Sequence, residues 1–196
     1  MKDTQLQELM LQSLEQERGG VQIYRMALQC AVNAQLRKEW TRYLAQTEHH
    51  VQVLTEACMR LGLDPGMRTP GCRVVREKGL CLIRSMEMAL ANGDRKTAEL
   101  VACEAVVDAE TKDLADWELI GSAAKGAQGA MGKVLQAAYD EVKQDEDEHR
   151  YHSQGWCREL WLASLGLAAR LPPPEETGRA NTAVQAAHVK QSRTER

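Results

Sequence analysis

The sequence predicts an all-α protein of 196 residues, a bundle of four long helices with a long helical crossover between the second and the third. Three observations predict it. Apolar residues make up 43% of the chain, Leu and Ala are abundant and Phe is absent, a composition that favours helix. Over four long stretches apolar residues recur every three to four positions, the period of a helix that turns one face to a core. Breakers are few: three of the five prolines stand together at 172 to 174, and the remaining punctuation falls at 62 to 71, 92 to 94 and 125 to 129. This length supports one domain with a substantial core, expected over 1–171, followed by a polar, proline-led tail, 172–196, expected to be disordered.

The first helix is expected from about Thr4 to Cys30, with Leu14, Val21, Tyr24 and Leu28 on one stripe and Glu17 inside it. Gly19-Gly20 within that helix costs about 1 kcal/mol per glycine relative to alanine, which points to close helix approach, room for a ligand near Glu17, or a local kink. Asn33 is the expected N-cap of the second helix, whose inner face carries Leu36, Trp40, Leu44, Thr47, Val51, Leu54 and Cys58. Gly62 and Pro65 stop it after about 28 residues, or roughly 42 Å.

The connection from 63 to 93 holds a Pro/Gly loop, Asp64 to Gly71, and a shorter amphipathic helix marked by Val75, Gly79, Leu82, Met86 and Leu90. Asp94 is the expected N-cap of the third long helix, Arg95 to Ala123, with Leu100, Val107, Leu114 and Trp117 inward and Glu104 and Glu110 near that face. After a turn at Lys125 to Gly129, the fourth long helix runs from Ala130 to about Leu165, closed by Gly166.

This fourth helix carries the run Asp145-Glu146-Asp147-Glu148-His149-Arg150-Tyr151-His152. Leu135, Ala138, Val142, Trp156 and Leu160 keep helical spacing around it, and continuing that spacing puts Asp145, His149 and His152 on the inward stripe. A carboxylate placed among core residues without a partner costs several kcal/mol, so it must be paired, hydrogen-bonded or bound to a metal. Glu146 and His149 stand one turn apart and can reach a common point.

The two halves of the chain echo each other. Glu17 is followed by Val21 and Tyr24 at +4 and +7, and Glu110 by Leu114 and Trp117 at the same offsets. The second helix has Gln46-Thr47-Glu48-His49-His50 at mid-length, as the fourth has Glu146 to His149. A duplicated helical hairpin with pseudo-twofold symmetry accounts for both. Residues 5 to 165 thus resemble the ferritin-like superfamily, whose bundles place Glu, Glu-x-x-His, Glu and Glu-x-x-His on four successive long helices joined by a long crossover. The resemblance implies a di-iron carboxylate centre, with Glu17 and Glu110 as terminal carboxylates, Glu146 as a bridging carboxylate, His149 as an imidazole ligand, and one of His49 and His50 as the other. It implies an oxidoreductase of oxygen or peroxide, with manganese or zinc as alternatives to iron.

The second helix departs from the pattern, since Gln46 precedes His49 and Thr47 precedes His50 by three. Gln46 offers only a neutral oxygen, so two ions are expected with the second held more weakly. Glu48 or Asp145 could compensate, and His152 could add a nitrogen. The competing reading is a metal-free or singly metallated helical bundle with a stress-related binding or structural role. A homodimer is expected on either reading.

A net charge of −3 and a pI near 6.0 give no electrostatic case for nucleic acid or an anionic membrane as partner. The start lacks an apolar signal region and no stretch reaches the apolar length of a membrane span, so a cytoplasmic protein is expected. The six cysteines form no Cys-x-x-Cys pair and are expected to be small buried thiols.

Overall fold

A computed structural model describes residues 3–168, which form five helices: α1 (Asp3–Cys30), α2 (Ala34–Arg60), α3 (Pro70–Asn92), α4 (Arg95–Gly126) and α5 (Gly129–Ser164). Among the described residues there is no strand. The starts are set by side chains as the sequence requires. Asn33 accepts hydrogen bonds from the Gln35 and Leu36 amides, and Asp94 from those of Lys96 and Thr97. Thr69 caps α3 through the Cys72 amide, with Pro70 in the first turn, where a missing N–H costs nothing. Gly62 and Gly166 take positive φ just beyond α2 and α5, as helix-closing glycines do.

Helices α1, α2, α5 and α4 pack in a closed ring, α1 on α2, α2 on α5, α5 on α4 and α4 on α1. The crossover helix α3 lies on α1 and α4, outside that ring. The apolar core divides into two clusters along the helices. One gathers Leu6, Met10, Leu14, Leu54, Trp117, Ile120, Leu135 and Val142, and the other Ile23, Tyr24, Leu36, Trp40, Tyr43, Val106 and Trp156. On each of the four ring helices a buried polar stretch separates them: Glu17 on α1, Thr47 and His50 on α2, Glu110 and Asp113 on α4, Glu146 and His149 on α5.

Several inward positions differ from the sequence expectation. On α2 the buried face includes Tyr43, His50, Val53 and Ala57, while Leu44 and Val51 are half-buried. On α4 the leucines and valine at 100, 107 and 114 are only half-buried, and Glu104 is exposed, accepting a hydrogen bond from Trp161 Nε1 at 3.0 Å. The α4 face that is buried carries Ala98, Ala102, Cys103, Ala105, Val106 and Ala109. This helix packs on three others, and small side chains go where backbones come close. Cys81 is exposed rather than buried.

Helix α1 runs unbroken through Gly19-Gly20, and α5 through Ser153-Gln154-Gly155. A Cβ on Gly20 would meet Thr47 Cγ2 at 3.2 Å, so close approach explains that glycine. At Gly132 a Cβ would lie 2.7 Å from the Ala127 carbonyl oxygen and 3.2 Å from that of Ala124, backbone atoms that cannot swing away. Gly132→Ala should therefore destabilise by about 1–3 kcal/mol despite alanine's better helix propensity, lowering the melting temperature by about 5 °C. An unchanged thermal melt would show that the α4–α5 junction opens freely.

No helix among the described residues is long and apolar enough to cross a membrane. The tail expected at 172–196 lies outside the described residues.

Candidate metal centre

The charged layer forms where mid-helix positions of the four ring helices converge. Glu17, His50, Glu110, Glu146 and His149 are each 3% exposed or less. His50 Nδ1 lies 3.0 Å from Glu146 Oε1 and 3.4 Å from Glu17 Oε1, and His149 Nδ1 lies 3.6 Å from Glu110 Oε2 and 3.9 Å from Glu146 Oε1. Five of the six residues singled out in the sequence thus meet at one place.

His49 is the exception. It is exposed and pairs with the exposed Glu141 at 2.9 Å, so the inward histidine of α2 is His50. The reason is angular, since His50 is one turn beyond the buried Thr47 and His49 is rotated off that face.

The outer nitrogens of both imidazoles are occupied. His149 Nε2 is 3.1 Å from Gln46 Oε1, an acceptor, so Nε2 carries a proton, and in the neutral ring the Nδ1 lone pair faces the acids. Gln46 therefore supports His149 and is not the carboxylate missing from α2. His50 Nε2 is 3.4 Å from Asp145 Oδ2, a half-buried carboxylate on the outer side of the cluster. Such outer partners fix ring orientation in histidine metal sites. Glu48 is exposed and paired with Arg25, so it does not enter the layer.

The inner atoms are in the opposite condition. Glu17 Oε2, His50 Nδ1, Glu110 Oε2, Glu146 Oε1 and Oε2, and His149 Nδ1 are all buried without a hydrogen bond. Buried polar atoms are paired in the great majority of cases, and six converging exceptions need a common cause. Two groups have ligand atoms that all lie within 4.8 Å of one another, His50 with Glu146 and His149, and Glu17 with Asp113 and Glu146. Carboxylate oxygens and neutral imidazole nitrogens are the donors that hold iron, manganese or zinc, so the residues fit the group that the resemblance implies.

Asp113, 3% exposed on α4, was not among the expected residues. It stands three after Glu110, and the signal for it was this i+3 spacing on a stripe containing no charge to balance it.

The duplicated pattern takes physical form here. Trp117 Nε1 donates to Glu17 Oε1 at 2.7 Å, while the buried Tyr24 lies beside Glu110. Each half thus sends its aromatic at +7 to the glutamate of the other. Burial and the Glu110 carboxylate push the Tyr24 hydroxyl well above its ordinary pKa. Tyr43 packs on the His149 ring with centroids 4.2 Å apart.

His152, offered as an added nitrogen ligand, belongs to another network. Its Nδ1 is 3.1 Å from Glu39 Oε1, and Glu39 also accepts from Tyr43 Oη at 2.7 Å and Trp156 Nε1 at 2.5 Å. Burial would raise the Glu39 carboxyl, but these hydrogen bonds and the His152 charge bring it down to about 2. Glu148 pairs with Arg42 at the edge of this network. The signal for Glu39 was its place beside Trp40 and one turn before Tyr43, next to two large aromatics.

Electrostatics in the charged layer favour protons in the absence of metal. Burial, opposed by His50 and reinforced by Glu17 and Glu110, holds the Glu146 carboxyl up at about 7, and burial with the same acids raises Asp113 well above its ordinary value. Burial opposes the charged form of both imidazoles, but Asp145, Glu146 and Glu17 raise His50, and Glu110 and Glu146 raise His149.

All four shifts have one sign. A group whose pKa rises on folding binds more protons folded than unfolded. For Glu146 the stabilisation is complete below about pH 4 and is lost as the pH rises through about 7; for the histidines the loss begins above about pH 6.5. The melting temperature of the metal-free protein should therefore fall between pH 5 and pH 8, and saturating divalent metal should oppose that fall because it needs deprotonated ligands. Melts in chelator and in excess metal across this range check it, and parallel curves would show that protons and metal do not compete here.

Compared with protein-family models, curated proteins and solved structures, the chain matches none, so the functional reading rests on the geometry of this layer.

Proposed function

We propose that the protein is a ferritin-like four-helix bundle that holds divalent metal in its charged layer, with Glu17, His50, Glu110, Glu146 and His149 as ligands, and acts as a di-iron carboxylate oxidoreductase on oxygen or peroxide. The observation that carries this reading is the convergence of six buried donor atoms without hydrogen bonds. A buried polar atom left without a partner costs about 1–3 kcal/mol, and the His50 and His149 contacts with Glu17, Glu110 and Glu146 offset that cost only in part without a cation. Ferrous ions bound there would supply the electrons for reducing oxygen or peroxide, and carboxylates favour the ferric state.

The chain's own contribution is to hold the donors in place and keep bulk water out. Gln46 and Asp145 fix the two imidazoles from behind, Trp117 anchors Glu17, and Tyr24 and Tyr43 close the layer on the side of His149. Iron analysis of protein purified without added metal, followed by anaerobic ferrous titration and exposure to oxygen or peroxide, tests both parts. Stoichiometric ferrous binding and its oxidation are expected; absence of binding would sink the reading.

One observation favours a second reading, a metal-free ion-paired bundle with a binding or structural role. His50 Nδ1 stands 3.0 Å from Glu146 and 3.4 Å from Glu17, contacts that a protonated imidazole makes without an ion. On that reading divalent metals leave the melting temperature unchanged.

A further inference from the structure

With His50 as the inward histidine, the two halves can be set position against position: Glu17 with Glu110, Tyr24 with Trp117, Thr47 with Glu146 and His50 with His149. The alignment fails in two places. Thr47 stands where the other half has Glu146, and its hydroxyl donates to the Tyr43 carbonyl at 2.9 Å. Three residues beyond the paired glutamates, Gly20 stands where the other half has Asp113.

These failures compensate each other in space. A Cβ on Gly20 would lie 3.2 Å from Thr47 Cγ2 and 3.9 Å from Asp113 Oδ2, so the absent side chain, the short threonine and the extra aspartate meet at one point. Asp113 is 3% exposed, and its Oδ1 is buried without a hydrogen bond. Its ligand atom lies within 4.8 Å of those of Glu17 and Glu146.

We infer that Asp113 is a metal ligand replacing the carboxylate that Thr47 cannot supply, and that it makes the two metal positions chemically unlike. One position is all oxygen, from Glu17, Asp113 and Glu146, and the other contains nitrogen, from His50, Glu146 and His149. This rests on the reading that the layer holds divalent metal. Each imidazole has only Nδ1 to give, because its Nε2 faces Asp145 or Gln46, and the two rings stack at 5.6 Å. Both nitrogens therefore serve one position, with Glu110 beside His149. Carboxylate-only sites suit manganese or magnesium, whereas imidazole raises affinity for ferrous iron and zinc. The four carboxylates Glu17, Glu110, Asp113 and Glu146 match the charge of two divalent cations.

The test uses the full chain, stripped with chelator and titrated without oxygen. One equivalent of Zn²⁺ is added with excess Mn²⁺, bound metal is counted by elemental analysis, and free Mn²⁺ by its electron paramagnetic resonance signal. One zinc and one manganese per chain are expected. Asp113→Asn, which keeps the shape and removes a charge, should weaken manganese binding about tenfold or more while zinc stays bound. Manganese uptake blocked entirely by one zinc, or unchanged in Asp113→Asn, overturns the division into unlike positions but leaves the metal reading intact. Failure of both ions to bind overturns both.

Discussion

On the proposed metal reading, Glu146→Gln should strip metal from both positions at once and, in the same molecule, stabilise the metal-free fold above pH 7. Glu146 is the residue common to both ligand groups, and both of its oxygens are buried without hydrogen bonds. Burial and the Glu17 and Glu110 carboxylates, against His50, hold its own carboxyl at about 7, so above that pH the folded chain bears a charge it resists. Glutamine keeps the shape without the charge. A ligand present at a hundredfold its dissociation constant contributes about 2.7 kcal/mol, so the variant should lose a metal-induced rise of about 5–10 °C. Thermal melts with and without ferrous or manganous ion, alongside metal counting, read both effects. A variant that binds as much metal as the parent shows that Glu146 is not a ligand.

Trp117→Ala should cost about 3–5 kcal/mol, or roughly 10–15 °C in melting temperature. The indole is fully buried, packs with Leu14, Leu54 and Leu135, and stands edge-on to His50 with centroids 6.2 Å apart. Its removal opens a cavity and leaves Glu17 Oε1 without its donor. Trp117→Phe separates the two losses, since it restores most of the packing but not the N–H. It should lie between parent and alanine variant in stability while releasing Glu17 as fully as alanine does. Calorimetry of the three proteins checks the order, and a phenylalanine variant as stable as the parent would show that the indole–carboxylate bond contributes nothing.

Helix positions and caps were legible in the sequence because they depend on nearest neighbours: Asn33, Asp94 and Gly62 act within one turn of themselves. Glu17, Glu110, Glu146 and His149 were legible because a charge on an apolar stripe is conspicuous. What sequence left open was rotation. His49 and His50 differ by about 100° around α2, and only the packing of Tyr43, Thr47 and Leu54 selects His50. Asp113 was hidden by Leu114, whose hydrophobicity drew the inward stripe of α4 one position too far round, although alanines carry the closest contacts. Glu39 was hidden for another reason: beyond Tyr43 on its own helix, its partners His152 and Trp156 on α5 reach it only after the helices pack.

The opposition of Gly20 and Asp113 bears on ancestry. Had the two hairpins been separate, identical chains around a twofold axis, symmetry would have placed the same residue at both positions. Two aspartates would crowd the space in which Thr47 and Asp113 now meet, and two glycines would leave the layer a carboxylate short. In a single polypeptide, with α3 spanning the join, the two positions are free to hold unequal residues. The crossover helix, though it contributes none of the charged layer, is thus what frees the two halves to diverge.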